Sequence, residues 1–183
     1  MIMTNTAGII KKPSNKQIEV LQSEPMSSFC NLLHFISTRN GGVSSGEFES
    51  LNLKYNPNDS DEQVDENCKT LCQNLGIKPE QLIIPEQVHK DKVEIIDQRF
   101  MDSSKIEQQH RLAQTDALIT NIPGVCISVA TADCVPILVY APDKQVIAAI
   151  HAGWRGTVAL ITTKTIQQLI DIFRCDPEKL VCT

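Results

Sequence analysis

Residues 131–156 read TADCVPILVYAPDKQVIAAIHAGWRG, and the fold turns on how this stretch is arranged. Two apolar runs, Val135 to Tyr140 and Gln145 to Ile150, flank Ala141-Pro142-Asp143-Lys144, where proline at the second turn position presets φ for a type I turn. The pattern predicts a β-hairpin. With Pro142 and Asp143 at the turn centre, Tyr140 lies opposite Gln145, Leu138 opposite Ile147, and Cys134 opposite His151. Directly opposed Cβ atoms of an antiparallel pair are about 4.5–5.5 Å apart. The expected register therefore brings a thiol and an imidazole within reach of one metal ion, or of each other as nucleophile and base. Ile137, Val139, Val146 and Ala148 make one face of the hairpin apolar, and Leu138, Ile147 and Ala149 the other, as in a sheet covered on both sides. Pro136 lacks a ladder donor, which the second position of a strand tolerates. The competing account of the same pair is a buried structural cysteine near a capping histidine, since free Cys is among the most buried residue types.

Upstream, Asn31 to Thr38 is a strand-like run ending at Arg39-Asn40-Gly41-Gly42, which supplies the positive φ values of a tight turn. His34 within it reads as a core histidine. Asp61 to Gly76 places Val64, Cys68, Leu71, Cys72 and Leu75 at helical spacing, with acidic residues in the first turn and Gly76 as its stop. Cys68 and Cys72 then face the core. Leu82 to Ile84 and Lys92 to Ile96 read as strands flanking Pro85-Glu86-Gln87-Val88-His89, which puts His89 at a strand–loop junction. Gln98 to Gln114 reads as a charged surface excursion carrying a solvent-exposed His110. Thr115 to Thr120 and Val125 to Ala130 are further short strands, and Thr157 to Phe173 is a helix with Thr157 as its N-cap. Residues 1–28 are polar and weakly patterned, a loosely structured lead-in with one short strand around Gln17 to Leu21.

A chain of 183 residues suits one domain, here 1–183, with a real core. With 17 Lys and Arg against 22 Asp and Glu, the net charge of −5 gives no electrostatic footprint for nucleic acid or an anionic membrane. Small molecules are the expected partners. Seven cysteines, no secretory leader and no apolar run near membrane-spanning length predict a cytoplasmic protein with reduced thiols.

His89, Cys134 and His151 each sit at a strand end. Two imidazoles and one thiolate without a clear fourth ligand match a catalytic zinc that keeps a coordination position open. Blue copper wants the same trigonal set with an axial Met, but Met1, Met3, Met26 and Met101 are all remote from these motifs. Zinc is the expected ion and copper the alternative. Arg39, after a strand and before two glycines, offers a fork of donors suited to phosphate or carboxylate, unless it is simply a solvated arginine. Gly153-Trp154-Arg155-Gly156 leads directly into a helix, a second candidate anion-binding element. Asp133 and Glu86 are carboxylates close to the proposed ligands, and either can orient a ligand or carry a proton.

The motifs Ser37 to Gly46, Ser50 to Leu53, Gln87-Val88-His89, Thr115 to Thr120, Ala132 to Ile137 and His151 to Gly156, in this order, resemble the YfiH-type laccase-domain family over about residues 30–183. The resemblance implies an α/β fold of mixed sheets flanked by helices, distantly similar to a toxin deamidase that uses a Cys and His pair. It implies His89, Cys134 and His151 as metal ligands. Beside them, Cys134, His151, Arg39 and Asp133 are the expected catalytic residues, and Arg39, Gly153, Arg155 and Gly156 the expected phosphate site. The implied activity is purine nucleoside phosphorolysis, from nucleoside and phosphate to free base and ribose 1-phosphate, with deamination of adenosine beside it. The alternatives are a cysteine- or metal-dependent amide hydrolase acting on a cell-wall precursor, a copper-dependent polyphenol oxidase, and a non-catalytic metal-binding module. Lys90 departs from the family pattern, standing where a glycine commonly follows the histidine, which is expected to narrow the mouth of the site. Family members also continue beyond Val181-Cys182-Thr183. With two clear helices to cover a sheet apolar on both faces, one face is expected to be bare, and residues 1–183 alone are expected to be poorly soluble or markedly less stable than a chain of family length, and nearly inactive.

Overall fold

A strand pair that is apolar on both faces folds only where both faces find cover, and that requirement sets the layers of this molecule. The computed structural model describes residues 2–5 and 18–183. Its strands are β1 (Ile2–Asn5), β2 (Val20–Leu21), β3 (Leu32–Ser37), β4 (Leu82–Ile83), β5 (Val93–Ile95), β6 (Ala117–Thr120), β7 (Cys126–Ser128), β8 (Val135–Ala141), β9 (Val146–Ala152) and β10 (Val181–Cys182). The helices are α1 (Glu24–Ser27), α2 (Asp61–Leu75), α3 (Gln98–Asp102), α4 (Lys105–Leu112), α5 (Trp154–Val158) and α6 (Ile161–Asp171). Among the described residues the strands form two sheets, ordered β2-β3-β1-β7-β4 and β10-β8-β9-β6-β5. Both are mixed: β4 runs parallel to β7 and β5 parallel to β6, while the other neighbours are antiparallel.

The two sheets face each other across one apolar layer. Leu32, Ile83 and Ile127 from the first sheet meet Leu118, Leu138, Tyr140, Ile147 and Ala149 from the second, with Met26 and Phe100 filling in. The alternate residues of the second sheet, among them Ile119, Val139, Ala148 and Ile150, pack beneath Ile161 and Leu169 of α6. On the far side of the first sheet, Phe35 and Cys126 pack against Leu71 of α2. The order is helix, sheet, sheet, helix. No face of the hairpin sheet is bare, contrary to the expectation drawn from counting helices, because the second cover is another sheet.

The hairpin forms, with a changed register. Lys144 N donates to Ala141 O at 3.3 Å, as a type I turn over Pro142 and Asp143 requires. Gln145 then takes a left-handed backbone, φ 54°, and the strands close as Ala141 with Val146 and Tyr140 with Ile147. A type I turn splays strands unless the loop adds residues to restore their twist. Pairing therefore moves by two residues, which leaves every side chain on its expected face but puts Pro136, not Cys134, opposite His151.

Several other boundaries differ from expectation. The segment 1–28 is not only a loose lead-in: β1 lies between β3 and β7 inside a sheet, although residues 1 and 6–17, including Gln17 of the expected strand, lie outside the described residues. Gln98 to Gln114 is two short helices, capped by the side chains of Asp97 and Ser104 and anchored by buried Phe100, with His110 exposed as expected. The helix expected from Thr157 to Phe173 is broken at Leu160, whose φ is 64°, so Thr157 lies within α5 and α6 begins at Ile161. Gly76 ends α2 at φ 68°, where a residue without Cβ is unstrained.

Leu118, fully buried between the sheets, tests this layering. Leu118→Ala is expected to lower unfolding free energy in urea by ~2–5 kcal/mol, whereas Val158→Ala, at a residue 76% exposed, is expected to change it by under ~0.5 kcal/mol.

Candidate metal centre

Face alternation along three adjacent strands builds the site. In the second sheet, His151 of β9 shares the inter-sheet face with Ile147 and Ala149, and the same alternation places Cys134, just before β8, on the face of Leu138 and Tyr140. The β6–β9 register, Ala117 with Ile150, continues to Asp116 beside His151, where His151 N donates to Asp116 O at 2.7 Å. Cys134 is thus a diagonal neighbour of His151. His89 comes from the loop between β4 and β5. The imidazole nitrogens of His89 and His151 and the Cys134 sulfur lie within 4.8 Å of one another, and the two rings meet edge to face with centroids 4.8 Å apart. His151 is buried; His89 and Cys134 are half-buried.

The His89 loop is held from two sides. Gln87, buried, exchanges two hydrogen bonds with Ala130, its Nε2 donating to the carbonyl and its Oε1 accepting from the N–H, both at 2.7 Å. Asp116, also buried, accepts the backbone N–H groups of Val88 (3.2 Å), His89 (2.9 Å) and Lys90 (2.9 Å), and lies 2.8 Å from His151 Nδ1. Burial by itself would raise the Asp116 pKa. The hydrogen bonds from His151 and from Lys90, Val88 and His89 outweigh it and hold the carboxyl below its ordinary range. His89 itself has φ 61°, a costly conformation for a residue with a Cβ, of the kind found where surrounding structure over-determines the backbone at a functional site.

Two glycines make the close approach possible. A Cβ on Gly153 would lie 3.1 Å from His89 Cδ2 and 3.2 Å from Cys134 Sγ, and one on Gly156 only 2.7 Å from the Lys90 carbonyl oxygen. Gly153 caps α5, a single turn of helix, and the Arg155 guanidinium lies 4.6 Å over the Trp154 ring. The remaining expected residues are placed elsewhere. Arg39 is exposed, donates to the carbonyl oxygens of Glu49 and Glu47, and lines a cavity of about 180 Å³ with Thr38, Asn52, Ser128, Ala130 and Thr131. Asp133 and Glu86 are exposed. The carboxylate on His151 is Asp116, within the Thr115 to Thr120 motif. Sequence reasoning missed it, as it missed Gln87; pairing that strand with β9 would have found Asp116. Lys90 turns its ammonium to Gln114 Oε1 at 2.8 Å. His34 is buried with Nε2 3.0 Å from the Ser23 backbone, a core position as expected.

The donor set suits an ion. Zinc bound by imidazole and thiolate, at about 2.0–2.1 and 2.3 Å, holds its ligand atoms about 3.3–3.6 Å apart, so a set within 4.8 Å closes on one ion by small side-chain rotations. Cys68 and Cys72 behave differently. Burial foremost, with Cys72 and Asp65 beside Cys68 and Glu80 beside Cys72, pushes both thiols up to about 11, which keeps them protonated at neutral pH.

Fold and site together define a two-sheet α/β protein with a His-Cys-His group at one end of its inter-sheet layer. Residues 33–183 match the family described as multi-copper polyphenol oxidoreductase laccase, and the chain belongs to that family. It is 40% identical over 166 residues to a purine nucleoside phosphorylase of Bacteroides thetaiotaomicron, covering 91% of this chain and 62% of that protein. It is 35% identical over 135 residues to an adenosine deaminase from an unknown prokaryotic organism, covering 74% of this chain and 52% of that protein. The fold resembles the crystal structure of the hypothetical protein YfiH of Bacillus licheniformis, with a TM-score of 0.74 and 27% identity over 81% of this chain and 55% of that one. The chain thus spans between half and two thirds of the length of these relatives. Among the described residues, no helix is long and apolar enough to cross a membrane.

Gly153→Ala probes the packing of the group. It is expected to weaken metal binding by about tenfold or more with little change in thermal midpoint, measured by chelator competition and by circular dichroism. Gly156→Ala, against backbone, is expected to lower the midpoint itself.

Proposed function

We propose that residues 1–183 form one domain carrying the metal centre of a cytoplasmic purine nucleoside phosphorylase that also deaminates adenosine. The observation that carries this reading is the convergence of His89, Cys134 and His151 within 4.8 Å, in a chain whose relatives bear those two names. The proposed ligands are these three residues and the proposed ion is zinc. Met26 is buried in the inter-sheet core and Met101 packs against it, so neither offers the axial thioether of a redox copper site. A bound zinc would polarise a substrate oxygen or activate water, as zinc does where a coordination position stays open.

The chain's own residues supply binding and orientation. Arg39 is the proposed phosphate-binding residue. Its cavity has Ala130 and Thr131 in its wall, in the segment that leads into Cys134. Arg155, with Gly153 and Gly156, is the second proposed phosphate element, and Asp133 or Glu86 the group that moves a proton. Purine nucleosides and phosphate are the proposed substrates. The second reading, an amide hydrolase using Cys134 as nucleophile and a histidine as base, draws on the same thiol–imidazole proximity, and differs in needing no ion.

Metal-loaded protein incubated with inosine, with and without phosphate, is expected to release hypoxanthine only when phosphate is present, and a chelator is expected to abolish the reaction. Chelator-resistant amide hydrolysis with no phosphorolysis would favour the cysteine reading. Cys134→Ala is expected to remain folded and lose stoichiometric zinc, measured by metal analysis after gel filtration. Arg39→Ala is expected to raise the phosphate needed for half-maximal phosphorolysis by about tenfold or more, the loss of one charged hydrogen bond, and to change adenosine deamination far less. Equal losses would assign Arg39 a structural role.

A further inference from the structure

We propose that Asp116 is the positioning residue of this site: it fixes His151 with its proton on Nδ1 and Nε2 free to face the triad, and it fixes the His89 backbone, before any ion is bound. A carboxylate has about four lone-pair positions on its two oxygens. Three are taken by groups that can only donate: Oδ2 accepts Val88 N and Lys90 N, and Oδ1 accepts His89 N. The fourth contact is His151 Nδ1, 2.8 Å from Oδ1. With three backbone donors around it the carboxylate acts as acceptor for the fourth, so the imidazole nitrogen must donate. In the neutral ring His151 Nε2 is then the nitrogen without a proton, the form a metal ligand requires.

The same oxygens set His89. Three successive N–H groups converging on one anion form a concave nest, and here the anion is the Asp116 side chain. The nest explains how His89 keeps φ at 61°. One buried side chain therefore orients two of the three proposed ligands, one through its ring and the other through its backbone. Cys134 is held separately, at the start of β8.

Asp116→Asn distinguishes positioning from mere packing. The amide keeps the shape of the carboxylate but must turn its NH₂ somewhere. Placed at Oδ2 it would face two backbone donors, Val88 and Lys90. Placed at Oδ1 it faces one, His89, and can donate to His151 Nδ1. The second arrangement leaves fewer donors opposed, and it moves the imidazole proton to Nε2, where it blocks the metal-facing nitrogen. The substitution is thus expected to invert a tautomer.

The test is ¹⁵N–¹H NMR of the histidine rings in metal-free protein, paired with zinc affinity by chelator competition. The tautomer measurement needs no metal and the affinity measurement does, so the proposal and the metal reading on which its functional meaning rests can fail separately. Wild type is expected to show His151 protonated at Nδ1; Asp116→Asn is expected to show it at Nε2 and to bind zinc about 10–100-fold more weakly. A wild-type His151 protonated at Nε2, or exchanging between both forms, would overturn the proposal. So would an Asp116→Asn variant that keeps the wild-type tautomer and affinity. If the variant does not fold, the wild-type spectrum decides alone. Wild type that shows the Nδ1 tautomer but takes up no zinc would uphold the positioning role and remove the metal reading.

Discussion

The structure depends on the double burial of β9. Every residue from Val146 to Ala152 is buried, with the first sheet on one side and α6 on the other. In such a strand a polar side chain is costly unless it is fully hydrogen-bonded. His151 is the one polar side chain in β9, placed near the strand's end and met by Asp116 from the neighbouring strand. The site's position follows from this: the end of a doubly covered strand is where a polar side chain can be satisfied and still meet the half-buried His89 and Cys134.

From there, each further constraint is local. The β6–β9 register puts Asp116 beside His151; Asp116 and Gln87 then draw in the loop that carries His89. Gly153 and Gly156 leave space where a side chain would press on His89, Cys134 or the Lys90 carbonyl. The Gly-Trp-Arg-Gly segment was expected as an anion-binding element leading into a long helix. Its glycines also permit close packing, and the helix it opens is one turn long before Leu160 breaks the chain direction.

What the sequence made legible was whatever local pattern dictates. α2 announced itself by its spacing and by Gly76, and the hairpin by two apolar runs and Pro142. What it hid depended on distant partners or on backbone conformations that side chains do not advertise. Gln145 and Leu160 adopt left-handed φ without being glycine or asparagine, so neither the register shift nor the helix break had a signal. β1 is four residues with two polar ones, Thr4 and Asn5, and is a strand only because β3 and β7 flank it. Asp116 was visible as a residue and as part of a motif. Its role needed the neighbour strand, since no carboxylate's partner can be read from spacing along a single strand. The two carboxylates favoured by proximity in sequence, Asp133 and Glu86, are exposed.

The cysteines show why residue type alone does not make a ligand. All seven are free thiols, and metal binding must displace a thiol proton. Burial pushes Cys72 and Cys175 up to about 11 and raises Cys126 further still, which makes that proton harder to displace. Cys134 is half-exposed at the end of its strand, and among the described residues it belongs to the one group that brings three metal-ligating side chains within 4.8 Å. The apolar layers that bury Cys72, Cys126 and Cys175 also end at Cys134 and His151. Core packing and the placing of this candidate ligand group are therefore two results of a single boundary, the edge of the inter-sheet layer.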